Sequence, residues 1–511
     1  MKTFALLSAA TALCAVASAA AYARPATDRC ADIAANAGGM RDDAWFDGDF
    51  EEKLEDMLAD TDAVAGLALA VVKDADIIFM RGFGYRDLSA CSPVTPDTRF
   101  YLKSTTKSFT GLLGALLHEE GVIELDAPIT EYLPELSLPA PLNAAQISLR
   151  AHLTHGIPYE NGGVVFRTAY AGNLPDDRIV GHLSTYSVPK DTRFEYSNLG
   201  PIVAAIAMGS AAGASWRDLL EAKVFAPAGM ADSFAYMAKA QRDEMSQAYI
   251  RDADGRFQPT FTKYEEQMHP AGGTVSTAAD LARWLILNLN DGRIDGRRVY
   301  PARAIAQAHA RQIQLDWTWG RFHRFAHGLG VYSADYEGEL VMHHFGGETH
   351  VSFMPEHGFG VAVLTNQIDV GLYVTHSVAT LIYDHLLEKP DIDARFAAAA
   401  DNAREKLSER SSEVRAALDD VPSGDATLAP AELAGRYVSD RLGEIVVAVE
   451  EGNALTVAFG VLRGELTHVG MDVYLADYHM WGDPPEPYEF RRHGSEGSLL
   501  LDWDGRIFFR R

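Results

Sequence analysis

Two periods divide the apolar residues of this chain. Up to about residue 421, helical stripes alternate with short apolar runs of strand length; beyond it the pattern turns to a beat of two. The strongest stripe follows Lys107. Phe109, Leu112, Leu113, Leu116 and Leu117 fall on one helical face, Glu119 and Glu120 close it, and Gly121 stops it. Upstream, residues 49–58 predict a short charged helix, and 66–72 and 77–83 predict two strands joined by a turn. Downstream, short helices are predicted over 147–155 and 216–224, and a longer one begins at Leu199 with Pro201 in its first turn. Residues 159–188 are less regular. Thr277 and Asp280 read as a capping box for a helix with the stripe Leu281, Trp284, Leu285 and Leu289. Strands are predicted over 338–344, 350–354 and 358–365, then a helix over 373–387. Residues 391–421 predict one exposed helix, and 422–427 a linker. After it come the run 445–449, a Glu-Gly-Asn turn, and the alternating Leu455, Val457 and Phe459, which predict a small antiparallel β-barrel.

Composition narrows the class. With 511 residues and 47% hydrophobic content the chain can bury a large core and divides into two or three domains. A formal net charge of −26 argues against nucleic acid and anionic membrane surfaces as partners. Residues 1–23 read as a signal peptide: Lys2, an apolar run from Phe4 to Val16, and an Ala21-Tyr-Ala23 cleavage site. The expected location is therefore periplasmic or secreted. No later stretch is apolar enough to predict a membrane span. Cys30 and Cys91 remain once such a signal is removed. They are either bridged, which would add about 4 kcal/mol at most, or two free thiols.

Ser104-Thr-Thr-Lys107 sits where the strongest helix begins. Three residues apart, both side chains share one face, and the helix start favours negative charge. The same spacing recurs at Ser187-Val-Pro-Lys190, where Pro189 and the lack of an apolar stripe argue for an ordinary loop. Tyr196-Ser-Asn198 precedes an apolar helix, and Tyr159-Glu-Asn161 repeats its spacing. His344-Phe-Gly346-Gly347 lies among the late strands, and His468-Val-Gly470 repeats that one. Each motif alone is weak. His343, His344 and His350 cluster, but without a metal-binding spacing, so no metal is expected and His343 and His350 read as strand-end residues.

Taken in order, Ser104-x-x-Lys107, Tyr196-x-Asn198 and His344-x-Gly346 resemble the penicillin-recognising serine hydrolases. The closest branch is that of class C β-lactamases, D-aminopeptidases and related esterases, peptidase family S12. Leu153-Thr-His155, Pro227-Ala-Gly-Met230 and Pro270-Ala-Gly-Gly-Thr-Val-Ser-Thr277 match as well, and Leu433-Ala-Gly-Arg-Tyr437 opens what looks like an appended lipocalin-like barrel. The resemblance implies an α+β fold. A β-lactamase/transpeptidase-like domain over 24–390, an antiparallel sheet flanked by helices, would be followed by a helical linker over 391–429 and a small antiparallel β-barrel over 430–511.

It also implies roles. Ser104 would attack a carbonyl and become acylated, with Lys107 or Tyr196 as base. Asn198 would orient Lys107 or bind the substrate amide, and Gly346 would border the substrate. The backbone N–H groups of Ser104 and Gly347 would form the oxyanion hole. His344 would assist proton transfer or hold the substrate. Expected substrates are small esters, amides or peptides, D-residue peptides among them, with no cofactor; a homo-oligomer is possible. Two departures bear on this. His344-Phe-Gly346 stands where Lys-Thr-Gly is usual, which weakens a carboxylate site and makes β-lactams poor substrates. The segment Thr154-His-Gly-Ile-Pro158 is shortened. The competing class is a protein that binds peptidoglycan fragments or β-lactams without turnover.

Overall fold

The computed structural model describes residues 39–511 apart from 241–243, 253, 261–262, 420–423, 479–485 and 495–496. The expected signal segment and Cys30 lie outside the described residues. Helix α1 (Gly48–Thr61) starts at Asp47, whose side chain accepts from the Phe50 N–H, and buries Phe50, Leu54 and Met57. The predicted hairpin follows as β1 (Gly66–Lys73) and β2 (Asp76–Asp87). β1 reads as an unbroken apolar run because both of its faces are covered. Leu67, Leu69 and Val71 share one core with Val378 and Ile382, while Ala68, Ala70 and Val72 share another with Trp284 and Leu285.

A 3-10 turn, Lys103–Thr105, runs into α2 (Thr106–Glu119). Ser104 therefore lies on the tight turn ahead of the α-helix. The helix is buried on all sides from Thr106 to Leu117, more than the single face its stripe predicts. Phe109, Leu113 and Leu117 are fully buried, each worth roughly 2 kcal/mol of transfer free energy, so the turn of the nucleophile leads into a deeply buried element.

Helices α3 (Leu149–Leu153), α4 (Gly162–Ala169), α5 (Asp176–Tyr186), α6 (Leu199–Ala212) and α7 (Ala278–Leu289) follow. The stretch 159–188 is thus more regular than expected. Helix α4 escapes the apolar pattern because it opens on two glycines, but Asn161 caps it by accepting from the Val164 N–H. Helix α5 escapes it because its buried side is only Ile179, His182 and Leu183. At α7 half of the expected capping box forms: Thr277 accepts from the Asp280 N–H, while the Asp280 carboxylate turns to the Asp232 N–H and the Ser233 hydroxyl. Among the described residues no single helix is long and apolar enough to cross a membrane; α6 and the helical run Trp216–Ala228 pass that test only as a pair bent by 82°.

The sheet is completed by β3 (Ile313–Trp319), β4 (Phe322–His327), β5 (Tyr332–Tyr336), β6 (Glu339–Gly346), β7 (Thr349–Met354) and β8 (Phe359–Thr365). Its order is Met40–Arg41, β2, β1, β8, β7, β6, β5, β4, β3, with Ser92–Pro93 paired to β2 off this path. Neighbouring strands run antiparallel. Strands β3–β5 lie outside the apolar runs: β3 is largely exposed, and the buried positions of β4 and β5 include Arg324, His327 and Ser333. Helix α8 (Gly371–Leu386) covers one face. Helix α9 (Ile392–Asp419), expected to be exposed, instead lies on α1 and α8 and buries Phe396, Ala400 and Ala403.

Eight sequential strands then close a barrel: β9 (Gly435–Ser439), β10 (Gly443–Val449), β11 (Leu455–Phe459), β12 (Leu462–Gly470), β13 (Val473–Asp477), β14 (Glu486–His493), β15 (Ser498–Trp503) and β16 (Arg506–Arg510). Alternate side chains such as Tyr437, Ile445, Val457 and Phe508 fill its interior. The barrel seats on the segment that follows Asn161. Phe166 of α4 packs 5.3 Å from Phe459 and 4.9 Å from Trp503. Ala171 is fully buried within the barrel's own apolar cluster and accepts from the Val461 N–H at 2.8 Å.

Candidate active site

Three elements and one loop meet at Ser104. The 3-10 turn supplies Ser104, and α2 supplies Lys107 one turn on. The segment entering α6 supplies Tyr196 and Asn198, and the end of β6 supplies His344 and Gly346. Two close approaches set their spacing. A Cβ on Gly111 of α2 would lie 1.8 Å from the Leu329 carbonyl oxygen, and one on Gly330, at φ +76°, would lie 2.1 Å from that of Lys107. The helix and the 329–330 segment therefore touch backbone to backbone. The Gly330 carbonyl in turn accepts from His344 Nδ1 at 2.8 Å.

Lys107 is buried. Its Nζ lies 2.8 Å from Asn198 Oδ1, 2.7 Å from the Ala271 carbonyl and 3.0 Å from Ser104 Oγ. Burial pushes its pKa well below the ordinary lysine value. An amine with two N–H bonds committed to two carbonyl oxygens has its lone pair left for the third neighbour, the serine hydroxyl. Lys107 Nζ lies 4.7 Å from the ring centre of Tyr196. Although 41% of Tyr196 is exposed, its hydroxyl points inward, 3.2 Å from His344 Nε2. Burial pushes the phenol up to about 12.

Because Nδ1 of His344 donates to a carbonyl, neutral His344 presents Nε2 as an acceptor to the Tyr196 hydroxyl. Burial, and then Lys107, hold His344 well below the ordinary histidine value. A neutral acceptor beside Tyr196 fits the departure from Lys-Thr-Gly.

Gly346 faces the nucleophile: a Cβ there would lie 2.0 Å from the Leu102 carbonyl oxygen and 3.0 Å from Ser104 N. Gly347, at φ +36°, and Glu348 form the two-residue turn between β6 and β7. The three repeated spacings lie elsewhere. Ser187 accepts from the Asn161 side-chain amide at 3.3 Å, while Lys190 pairs with Glu195. Tyr159 bonds His152, and His468 bonds the Met471 carbonyl in the barrel. Cys91 is disulfide-bonded. His343 and His350, taken as strand-end residues, are buried inside the sheet among Phe322, Phe345 and His376.

Several neighbours carried no motif to announce them. Lys103 and Glu348 flank Ser104 and Gly347 and form an ion pair at 2.7 Å. Arg324, only 6% exposed, stacks between Trp317 and Tyr332 at 4.4 and 4.2 Å, and its Nε donates to His343 Nε2. No carboxylate of the described residues lies within ion-pair distance of it. A cavity of about 700 Å³ lies between the start of α4 and the barrel; Glu195 and Ser197 line one wall, and Arg441, Tyr478, Trp503 and Arg506 of the barrel line another, while Ser104, Lys107, Tyr196 and His344 do not border it.

The arrangement is that of a serine hydrolase: a nucleophile on the turn that opens a buried helix, a desolvated amine beside it and a phenol whose ring lies over the amine. A family model described as Beta-lactamase matches residues 50–370, more than half of the chain. The chain belongs to the beta-lactamase family of serine hydrolases. It is 25% identical over 364 residues to an unguisins hydrolase of Aspergillus campestris, covering 67% of this chain and 65% of that protein. It is 31% identical over 174 residues to a D-aminopeptidase of Gluconobacter oxydans, covering 32% of this chain and 31% of that protein. The match thus spans less than two thirds of either relative. Among solved structures, the octameric penicillin-binding protein homologue from Pyrococcus abyssi is similar in fold, with a TM-score of 0.57 at 21% identity over 91% of this chain and 99% of that one.

Proposed function

We propose that this protein hydrolyses small esters, amides or peptides through a Ser104 acyl-enzyme, with Lys107 as the base that takes the serine proton. One observation carries the reading: Lys107 Nζ is held by two carbonyl acceptors with Ser104 Oγ as its third neighbour at 3.0 Å. Tyr196 stays protonated in the resting site. It passes its proton to the leaving amine or alkoxide, and the proton that Lys107 took from Ser104 replaces it. The N–H groups of Ser104 and Gly347 receive the developing oxyanion. Water, activated in the reverse sense, then releases the acyl group. D-residue peptides are the favoured substrates, a reading supported by the D-aminopeptidase relative. Export through the N-terminal segment and self-association, as in the octameric neighbour, belong to the same proposal.

The test is a panel of esters, D-amino-acid amides and β-lactams, followed by mass spectrometry. Ser104→Ala is expected to lose labelling and turnover, and Ser187→Ala to keep both. Labelling of Ser104→Ala, or a permanent adduct with no turnover of any compound, would sink the hydrolase reading.

Arg324 favours a second reading in one respect. A buried guanidinium without a carboxylate partner suits a substrate that brings its own. Arg324→Gln would then raise KM for carboxylate-bearing substrates and leave neutral esters unchanged.

A further inference from the structure

The turn that carries Ser104 and the turn that carries Gly347 are joined side to side. Thr349 donates to the Leu102 carbonyl at 3.1 Å, and its hydroxyl also lies 2.8 Å from that of Thr105. Across the same gap Lys103 Nζ reaches Glu348 Oε2 at 2.7 Å. Lys103 is a non-glycine residue at φ +47°, a left-handed conformation that costs about 1 kcal/mol or more and points to a constraint. Its stem lies over Gly347: a Cβ there would sit 2.5 Å from Lys103 Cδ and 2.9 Å from Nζ. Glu348 is 5% exposed, and its carbonyl accepts from the Thr365 N–H at 3.1 Å, which ties it to β8.

We infer that Lys103 and Glu348 are positioning residues, a clamp that sets the separation of the Ser104 and Gly347 backbone N–H groups. Each is the immediate chain neighbour of one of those two donors, so closing the ion pair pulls both turns toward each other. The inference rests on the oxyanion role given to those groups above. An ion pair with one buried member has a desolvation cost close to its Coulombic gain, so its contribution lies in geometry rather than stability. Displacing an oxyanion donor acts on the transition state and leaves ground-state binding nearly untouched.

The experiment measures ester hydrolysis, binding of a boronic acid transition-state analogue and thermal unfolding for Glu348→Gln, Lys103→Met and the double variant. Lys103→Met keeps the stem over Gly347 and tests the pair from its more exposed end. Expected is a fall in kcat of about 10- to 100-fold, less than the roughly 10²–10³-fold of deleting a donor outright. KM should stay within about twofold, boronate affinity should fall in parallel with kcat/KM, and the double variant should be no worse than the worse single one. Losses that add in the double variant, a rise in KM with kcat held, or activity that tracks only the folded fraction would overturn the clamp. Wild-type protein separates this from the reading it rests on. If wild type neither turns over esters nor acylates Ser104, that reading fails; if wild type works and the variants match it, the clamp fails.

Discussion

Whether Lys107 can be a base at neutral pH turns on how its proton is held. Its two carbonyl partners would favour an ammonium, yet burial outweighs them and draws the pKa well down. Tyr196 is the weaker base candidate, because burial of its hydroxyl pushes it up to about 12. Lys107→Gln is therefore expected to lower kcat by about 10²–10⁴-fold without loss of fold. In the wild type kcat/KM should rise with pH through an acid limb far below the ordinary lysine range. The Tyr196→Phe profile should keep that limb while its plateau drops. An acid limb that vanishes in Tyr196→Phe would return the base to the phenol.

Among the elements, α2 does two jobs. It carries Lys107 directly behind the turn of Ser104, and through Gly111 it holds the 329–330 segment whose carbonyl orients His344. Gly111→Ala would drive a methyl group into the Leu329 carbonyl, so the loop must move. The expected result is a fall in kcat of tenfold or more with Ser104 still able to be acylated, read by single-turnover labelling against steady-state rate. Unchanged kinetics would show that His344 does not depend on this contact. The sequence showed α2, the β1–β2 hairpin, α7 and β6–β8 because their apolar runs are long and their cores deep. It hid α4, whose start depends on one cap at Asn161, the exposed edge strand β3, and β4–β5, whose buried positions include the polar Arg324, His327 and Ser333. At the site the spacing of Ser104, Lys107, Tyr196, Asn198 and His344 was legible from resemblance. Lys103, Glu348 and Arg324 were not, because an ion pair 245 positions apart and a cation stacked on rings leave no local pattern.

For the molecule as a whole, buried neutral histidines tie stability to pH. His152 is depressed to about 4, and His327 and His376 to about 3, in each case chiefly by burial. A free chain takes up those protons near pH 6.5. As pH falls below that value the unfolded state binds protons first, so stability is fully present above about 6.5 and declines through about 4. For His152 alone the loss is roughly 3 kcal/mol. Urea midpoints should fall steadily from pH 7 to 4, and His152→Gln should flatten part of that slope. A midpoint that is constant over this range would mean that these rings are hydrated and titrate freely.

Ala171 belongs by chain position to the hydrolase and by packing to the barrel. The floor of one unit is thus made by the other, as a lid is seated on its own box. Held by a tether, such a contact operates at an effective concentration on the order of millimolar, so even a weak intrinsic affinity keeps the barrel docked almost all of the time. Cutting the exposed chain at 424–427 would remove the tether and leave the seat. Covalent continuity and assembly are then separate properties of this protein, and its two parts can drift in sequence only as far as Phe166 and Ala171 still fit the ring of strands above them.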